Sequence, residues 1–470
     1  MTANPPAAAL AATPAATPAA TTALALAAIV LAAGQGTRMR SDLPKVLHRV
    51  AGRPMINHVL DRLGELGCRP VVPVIAPGMD AVAEAVRPWA AAIQPVARGT
   101  ADAVRAAEAL LDGFAGDVLI AYGDAPLIEA ATLRRLAERR GASDRPDLVL
   151  LAMRPDDPAE YGRVLLGAGD AVERIVEHRD ATPAERAVRL CNSGMMLVDG
   201  ARLFGWLAAI GNDNAKGEFY LTDIVAVARR AGARCVAIEG SAAELAGVNS
   251  RAELAAAEAV LQGRLRRAAM AGGATLVDPG SVFLSADTRI GRDVVIGPFV
   301  HIGPGVAIGD GVEIAAFSHL EGATVEQGAV IGPFARLRKG SRIGEGAKVG
   351  NFVETKNVAL GRGAKANHLS YLGDAEIGAR ANIGAGTITC NYDGFDKSRT
   401  VIGAGAFIGS DTALVAPVTV GEGAIIGAGS VITADVAADS LAIARAPQVE
   451  KAGWAARFRL WKRGGDRRAG

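Results

Sequence analysis

Aliphatic residues recur every six positions through the C-terminal part of the chain, and this period decides what that part can fold into. Ile290, Ile296, Ile302, Ile308, Ile314 and Leu320 hold one phase. Val325, Ile331, Leu337, Ile343 and Val349 hold a second, and Ile402, Ile408, Leu414, Val420, Ile426 and Ile432 a third. Many are followed by glycine, as at Gly291, Gly297, Gly303, Gly309, Gly332, Gly344, Gly350, Gly403 and Gly409. A six-residue period fits neither a helix nor a hairpin ladder. It predicts a parallel β-helix, in which each hexapeptide forms one flat side of a triangular coil. The aliphatic side chain points inward and stacks on its neighbours, while small residues relieve crowding at the corners. Such a coil buries its apolar face only by stacking, so many repeats are needed. A flexible Gly-rich linker would not keep this aliphatic phase.

A chain of 470 residues is too long for one core. With half its residues hydrophobic and 21% charged, it has an ordinary globular balance. The formal charge of +2 gives no nucleic-acid footprint. Cys68, Cys191, Cys235 and Cys390 are scattered without a CxxC pair, which argues against a disulfide framework or zinc site and for a reducing, cytoplasmic setting. The Ala/Thr/Pro-rich segment 1–22 reads as a disordered extension. The apolar run Ala23 to Ala33 lacks a basic n-region and is too short to span a bilayer. It reads as the first buried strand of a parallel sheet.

Further strands are expected at Val71 to Ile75, Val118 to Ala121, Leu148 to Met153 and Met195 to Val198, alternating with helical segments. This alternation predicts a doubly wound, Rossmann-like α/β domain over 23–249, with ligands beyond the carboxyl ends of the strands. A helical linker is expected over 250–271, a β-helix domain over 272–450 and a basic, mobile tail over 451–470. The solenoid phase slips by one residue between Leu320 and Val325. It breaks again between Ile383 and Ile402, where TITCNYDGFDKSRT reads as an inserted loop. Loops that protrude from repeats commonly carry binding function.

The first candidate site follows the first strand, in Leu31-Ala32-Ala33-Gly34-Gln35-Gly36-Thr37-Arg38-Met39. Two glycines let backbone N–H groups approach a phosphate or base. Arg38 and Lys45 supply positive charge. Met39 stands where the dinucleotide fingerprint needs a third glycine, and no GK[ST] follows, so neither standard phosphate motif is met. On the residues alone, a structural turn explains Gly-x-Gly nearly as well.

The longer string LAAGQGTRMRSDLPKVLHRVAGRPMINHVL resembles the start of sugar-1-phosphate nucleotidylyltransferases. With the hexapeptide half attached, residues 25 to 455 resemble the bifunctional bacterial N-acetylglucosamine-1-phosphate uridylyltransferase (UDP-N-acetylglucosamine pyrophosphorylase)/glucosamine-1-phosphate N-acetyltransferase family. That resemblance implies the following roles. Leu31, Ala32, Ala33, Gly34, Gln94, Gly99, Thr100, Tyr122 and Gly123 would hold the nucleotide, and Arg38 and Lys45 its phosphates. Asp124 and Asn249 would bind Mg²⁺. Gly162, Glu177 and Asn192, with Asn249, would contact the sugar phosphate. Taken singly, Asp124 would more often be a turn or cap residue. Gln35 departs from the family pattern, at a position that is often basic. Hard oxygen donors such as an Asp carboxylate and an Asn carbonyl suit Mg²⁺.

Acetyl transfer to an amine needs a base, for which a histidine is suited. His301, His319 and His368 all lie in the solenoid, and periodicity alone does not choose among them. The string KANHLSYLGDAEIG around His368 resembles the acetyltransferase signature of the same family and favours His368. The resemblance further implies that Arg338, Lys356, Tyr371 and Asn382 bind the amino-sugar phosphate. Ala385, Asn391, Tyr392, Ser410, Ala428 and Arg445 would surround acetyl-CoA. Cys390 beside Asn391 is a remaining candidate nucleophile, though direct transfer requires none. The implied enzyme is a cytoplasmic homotrimer with left-handed coils and shared acetyltransferase sites. It would convert glucosamine-1-phosphate, acetyl-CoA and UTP to UDP-N-acetylglucosamine for peptidoglycan and lipopolysaccharide, without nucleic acid or a membrane span. Two rivals stand beside it: a nucleotidylyltransferase with the solenoid as an oligomerisation prop, and a non-catalytic sugar-nucleotide sensor.

Overall fold

The computed structural model describes residues 25–465, so the Ala/Thr/Pro extension lies outside the described residues. The chain divides into two compact units. One comprises Pro54–Ala257 with the segment that ends at His48; the other comprises Arg49–Arg53 with the segment from Glu258 onward.

In the first unit, apolar runs flanked by turn residues become the strands β1 (Leu26–Leu31), β2 (Val71–Ile75), β3 (Ala92–Ile93), β4 (Asp117–Tyr122), β5 (Leu148–Met153), β6 (Arg163–Leu166), β7 (Val172–Val176), β8 (Cys191–Asp199) and β9 (Cys235–Glu239). They form a nine-stranded sheet whose main path runs β9-β5-β8-β4-β1-β2-β3, with β6 and β7 appended to β8. β1 lies between β2 and β4 and is parallel to both. It is buried almost throughout, as expected of a strand covered on both faces. The sheet is not wholly parallel as the sequence pattern suggests. β8 is antiparallel to both β4 and β5, because the β6-β7 hairpin interposed after β5 brings the chain back in the opposite direction. Apolar clusters pack against the two faces of the sheet, one around Ile29, Ile120 and Leu150, the other around Val30, Leu119 and Leu151. The carboxyl ends of β1 and β4 therefore meet at one edge, and the loops that follow them carry Gly34 and Asp124.

Ser250 starts the helix Arg251–Ala271. Its hydroxyl accepts from the Glu253 N–H at 3.3 Å, while the Glu253 carboxylate accepts from the Ser250 N–H at 2.9 Å. This reciprocal cap fixes the chain one residue after Asn249.

The second unit is a left-handed parallel β-helix of hexapeptide repeats. Residues eighteen apart are partners, as in His301↔His319 and Val295↔Glu313, so one coil holds three hexapeptides. The register aliphatics are buried, with Ile296, Ile302, Ile314 and Leu320 fully so. The period does not reveal that the residue two positions earlier also faces inward, as Val294, Val300, Val306 and Val312 do. The slip after Leu320 appears as the shorter step Ala307↔Thr324. Buried hydroxyls are satisfied locally: Ser318 donates to the Ala315 carbonyl at 2.9 Å and Thr412 to Gly409 at 2.6 Å. At one corner Phe299, Phe317, Phe334 and Phe352 stack in an exposed file with ring centroids 5.0–5.1 Å apart.

The insertion is shorter than the string suggested. Ile388–Cys390 and Thr400–Ile402 are coil strands, leaving only 391–399 outside the ladder. This loop is itself a small hairpin closed by Tyr392 and Lys397. The basic tail is not irregular where it is described: Trp454–Gly465 is a helix, with Trp454 stacked on Phe458 at 5.1 Å.

Candidate functional site

Beyond the carboxyl ends of β1 and β4 lies a cavity of about 380 Å³, lined by Leu31, Ala32, Ala33, Gly34, Lys45, Gln94, Gly99, Thr100, Tyr122, Asp124 and Asn249, with Val46, Ala97, Ala103 and Glu218. The expected nucleotide and metal residues thus meet in one place, although they come from segments more than 200 positions apart, as the Lys45–Asn249 pair shows. Gly123 and Arg38 are not among the lining residues. Gly123 sits behind the wall, where a Cβ would press on Ile56 and Val46 at 3.3 Å. Arg38 is exposed on the short turn Thr37–Met39.

Local packing explains the convergence. Lys45 begins a turn whose next two residues, Val46 and Leu47, are buried and hold its stem in place. The Val248 N–H donates to the Asp124 carbonyl at 2.8 Å and brings Asn249 beside Asp124. Gly99, at φ +126°, lies so close to the Phe219 backbone that a Cβ would stand 2.5 Å from its carbonyl oxygen. Only glycine fits there. The Gln94 amide is buried and donates to the Gly99 carbonyl at 3.1 Å and the Asp102 carboxylate at 3.0 Å.

The Lys45 ammonium is paired with the Asp124 carboxylate and donates to the Asn249 side-chain oxygen at 2.9 Å. Two hard oxygens therefore already converge on one cationic centre. Among the described residues no group of three or more His, Cys, Asp or Glu could hold a metal. The donor set instead suits an ion such as Mg²⁺, which binds through one or two protein oxygens and completes its shell with water and phosphate. Asp124 and Asn249 fit that role.

Next to this cavity, Gly162, Glu177 and Asn192 are drawn together by the β6-β7-β8 pairing. The Asn192 N–H donates to the Gly162 carbonyl at 2.8 Å. A Cβ at Gly162 would lie 3.5 Å from the Glu177 carboxylate. Burial pushes the Glu177 carboxyl up, and a 3.0 Å hydrogen bond from Thr222 partly opposes this. Thr222 belongs to no motif. Burial, with Glu177 and Asp124, also raises the Tyr122 phenol, so it is a neutral hydrogen-bonding group.

The Glu177 shift gives a prediction with a definite sign. A carboxyl raised in the fold destabilises the folded state where it is ionised; that cost is full above the folded pKa and vanishes below the unfolded one. Glu177→Gln should therefore raise Tm by about 1–3 °C at pH 8, and by less as pH falls toward 4. Its KM for sugar phosphate should rise at the same time. Scanning calorimetry at both pH values and initial rates check the pair of effects.

In the second unit, Lys365–His368 is a coil strand that places His368 at a corner, paired with Asn351 on the preceding coil. The coil ladder continues from His368 through Ala385, Ser410 and Ala428, one residue per coil. At about 4.8 Å per rung this column spans about 14 Å. Arg445 joins its far end by donating to the Ala428 carbonyl at 2.6 Å. Three of the expected acetyl-CoA residues thus form a straight file with the candidate base.

Around the next corner, Arg338 is paired with Glu354 at 2.8 Å and stacks one rung from Lys356. The Lys397 ammonium of the inserted hairpin lies beside Lys356 and, with Arg338, pushes the Lys356 pKa down. Three cations therefore gather where an anionic phosphate would relieve their repulsion; Lys397 was not singled out by any motif. Asn391 donates to the Asp374 carboxylate at 2.5 Å and Asn357 does so at 2.6 Å. Burial opposes, but these bonds hold the Asp374 carboxyl below its usual range. Tyr371 and Asn382 lie on two different coil faces, and Tyr392 is exposed with its hydroxyl donating to Gly394 at 2.5 Å. His301 and His319 lie three and two coils before Glu354 in the same ladder, edge-on to each other at 4.8 Å. Cys390 is a free thiol.

Residues 28–198 match the MobA-like NTP transferase domain. Residues 287–322 and 399–434 match the bacterial transferase hexapeptide (six repeats). The chain is 62% identical over 437 residues to the bifunctional protein GlmU of Rhodospirillum rubrum, covering 93% of this chain and 98% of that protein. It is 60% identical over 436 residues to that of Acidiphilium cryptum, covering 93% and 98%. For Paramagnetospirillum magneticum the identity is 58% over 435 residues, covering 92% and 96%. With a nucleotidyltransferase unit and a hexapeptide solenoid in the same order along nearly its whole length, the chain belongs to the bifunctional GlmU family.

Proposed function

We infer that the chain makes UDP-N-acetylglucosamine in two steps, one in each unit. At the solenoid, the amine of glucosamine-1-phosphate attacks the thioester carbon of acetyl-CoA; a C–N bond forms, the C–S bond breaks and CoA leaves. At the first unit, a phosphate oxygen of N-acetylglucosamine-1-phosphate attacks the α-phosphorus of UTP, and pyrophosphate leaves. The observation that carries this reading is the convergence of two separate residue sets, each in its own unit, on the two kinds of chemistry.

In the acetyl transfer, His368 accepts the amine proton. Arg338, Lys356 and Lys397 hold the sugar phosphate, with Tyr371 and Asn382 around the sugar. Ala385, Asn391, Tyr392, Ser410, Ala428 and Arg445 border the acyl donor. In the uridylyl transfer, Leu31, Ala32, Ala33, Gly34, Gln94, Gly99, Thr100 and Tyr122 seat the nucleotide, with Gly123 behind the wall. Arg38 and Lys45 meet its phosphates, and Gly162, Glu177, Asn192 and Asn249 orient the acceptor. No protein nucleophile takes part, so positioning and charge neutralisation supply the acceleration. Mg²⁺, held by Asp124 and Asn249, would shield phosphate charge when bound.

The assembly is a homotrimer in the cytoplasm. His368, Ala428, Arg445 and the phenylalanine file are exposed on a single chain, which supports cover by a neighbouring solenoid. The four free cysteines support a reducing compartment. No helix among the described residues is long and apolar enough to cross a membrane.

A coupled assay with glucosamine-1-phosphate, acetyl-CoA, UTP and Mg²⁺, omitting each in turn, tests the reading. Without UTP, N-acetylglucosamine-1-phosphate and free CoA should accumulate. Without acetyl-CoA nothing should form unless N-acetylglucosamine-1-phosphate is supplied. A sugar-nucleotide sensor would give neither product and no pyrophosphate exchange, and that outcome would reject the proposal.

A further inference from the structure

Each turn of the solenoid puts one residue at the corner occupied by His368, and the residue one coil earlier is Asn351. Adjacent coils meet on a glycine here, as they do elsewhere in the solenoid. A Cβ on Gly350 would stand 2.0 Å from the Asn367 carbonyl oxygen, so only glycine lets the two strands come together before the corner. The Leu369 N–H donates to the Asn351 carbonyl at 3.0 Å and fixes the register on the far side of the histidine. With the backbone held on both sides, the Asn351 side-chain oxygen lies 2.6 Å from His368 Nδ1. Asn351, Phe352, Asn367 and His368 border one cavity of about 420 Å³, together with Gly332, Pro333, Phe334 and Gly350.

We propose that Asn351 is a positioning residue for His368, accepting the Nδ1 proton and so leaving the Nε2 lone pair free to receive a proton from the amine. This rests on the reading of His368 as the base. A neutral imidazole has one donor and one acceptor nitrogen, and the partner of one nitrogen decides the state of the other. A carboxamide oxygen only accepts, so it selects the Nδ1–H tautomer and turns the ring as well. Unlike a carboxylate partner, it does so without a full negative charge that would hold the imidazolium and slow proton release to solvent.

Histidine-selective ¹⁵N labelling of the full-length enzyme tests the tautomer directly, with the His368 signals identified by their loss in His368→Ala. The wild-type ring should carry its proton on Nδ1, and Asn351→Ala should shift the population toward Nε2–H. In acetyl transfer, Asn351→Ala should lower kcat by about 10–100-fold, with KM for glucosamine-1-phosphate within about two-fold. Asn351→Asp, which keeps the acceptor but adds a charge, should restore the Nδ1–H ring and recover only part of that loss. Uridylyl transfer reports correct folding of the first unit in every variant. A wild-type ring protonated on Nε2, or an Asn351→Ala enzyme with wild-type kcat, would overturn the proposal. If His368→Ala itself acetylated at the wild-type rate, the assignment of the base would fail instead, and the two failures are distinguishable.

Discussion

His368→Ala is expected to lower acetyl transfer to glucosamine-1-phosphate by about 10²–10⁴-fold, the usual worth of a positioned general base. Uridylyl transfer should stay within about two-fold, because the two sets of residues lie in separate compact units. The loss should fall on kcat: the phosphate cations Arg338, Lys356 and Lys397 and the column from Ala385 to Ala428 remain in place. His301 and His319 should not compensate, since they stand on the adjoining face, edge-on to each other and away from that column. Free CoA release followed by a thiol reagent measures the first activity, and pyrophosphate release the second. An unchanged acetylation rate would remove His368 from the mechanism. Intact uridylyl transfer beside abolished acetylation would show that the solenoid is not merely an oligomerisation prop.

The second large effect is expected at the other site. Asp124→Ala should lower uridylyl transfer by about 10²–10³-fold at fixed Mg²⁺ and leave acetyl transfer unchanged. In the structure the Asp124 carboxylate offsets the Lys45 ammonium, which also donates to the Asn249 side-chain oxygen. Without the carboxylate a lone Asn oxygen remains for the metal, and the cavity keeps an excess of positive charge. The requirement for Mg²⁺ should therefore rise, most visibly in a titration with UTP and N-acetylglucosamine-1-phosphate held saturating. Asp124→Asn, which preserves shape but not charge, should fall between the two. A variant that reached the wild-type rate at the wild-type Mg²⁺ concentration would take Asp124 out of the metal site.

Much of this organisation can be read from the residues. Six-residue aliphatic spacing specifies stacked coils because side-chain phase and backbone repeat are the same quantity in a β-helix. Buried runs such as Leu148–Met153 mark strands to the residue, since both their faces are covered. The antiparallel β8 is less legible, because its burial pattern carries no direction. Positions that act across coils are harder still. Asn351 lies seventeen residues before His368, whereas the coil repeat is eighteen. The difference comes from a short side between Thr355 and Leu360, and a strict period would have put Gly350 beneath the histidine. Lys397 reaches Lys356 only because the hairpin folds back, and Thr222 meets Glu177 only through tertiary packing. Neither contact leaves a local trace in the sequence.

The file from His368 to Ala428 advances by one residue per turn of the solenoid, so the molecule carries a graduated ruler along its corner. Its length changes in whole graduations of about 4.8 Å, because every coil adds one rung whether it holds eighteen residues or seventeen. To lengthen or shorten the file between His368 and Arg445, a sequence would have to add or remove complete turns. Loop insertions such as 391–399 escape this rule, since they leave the graduations untouched and alter only what hangs from them.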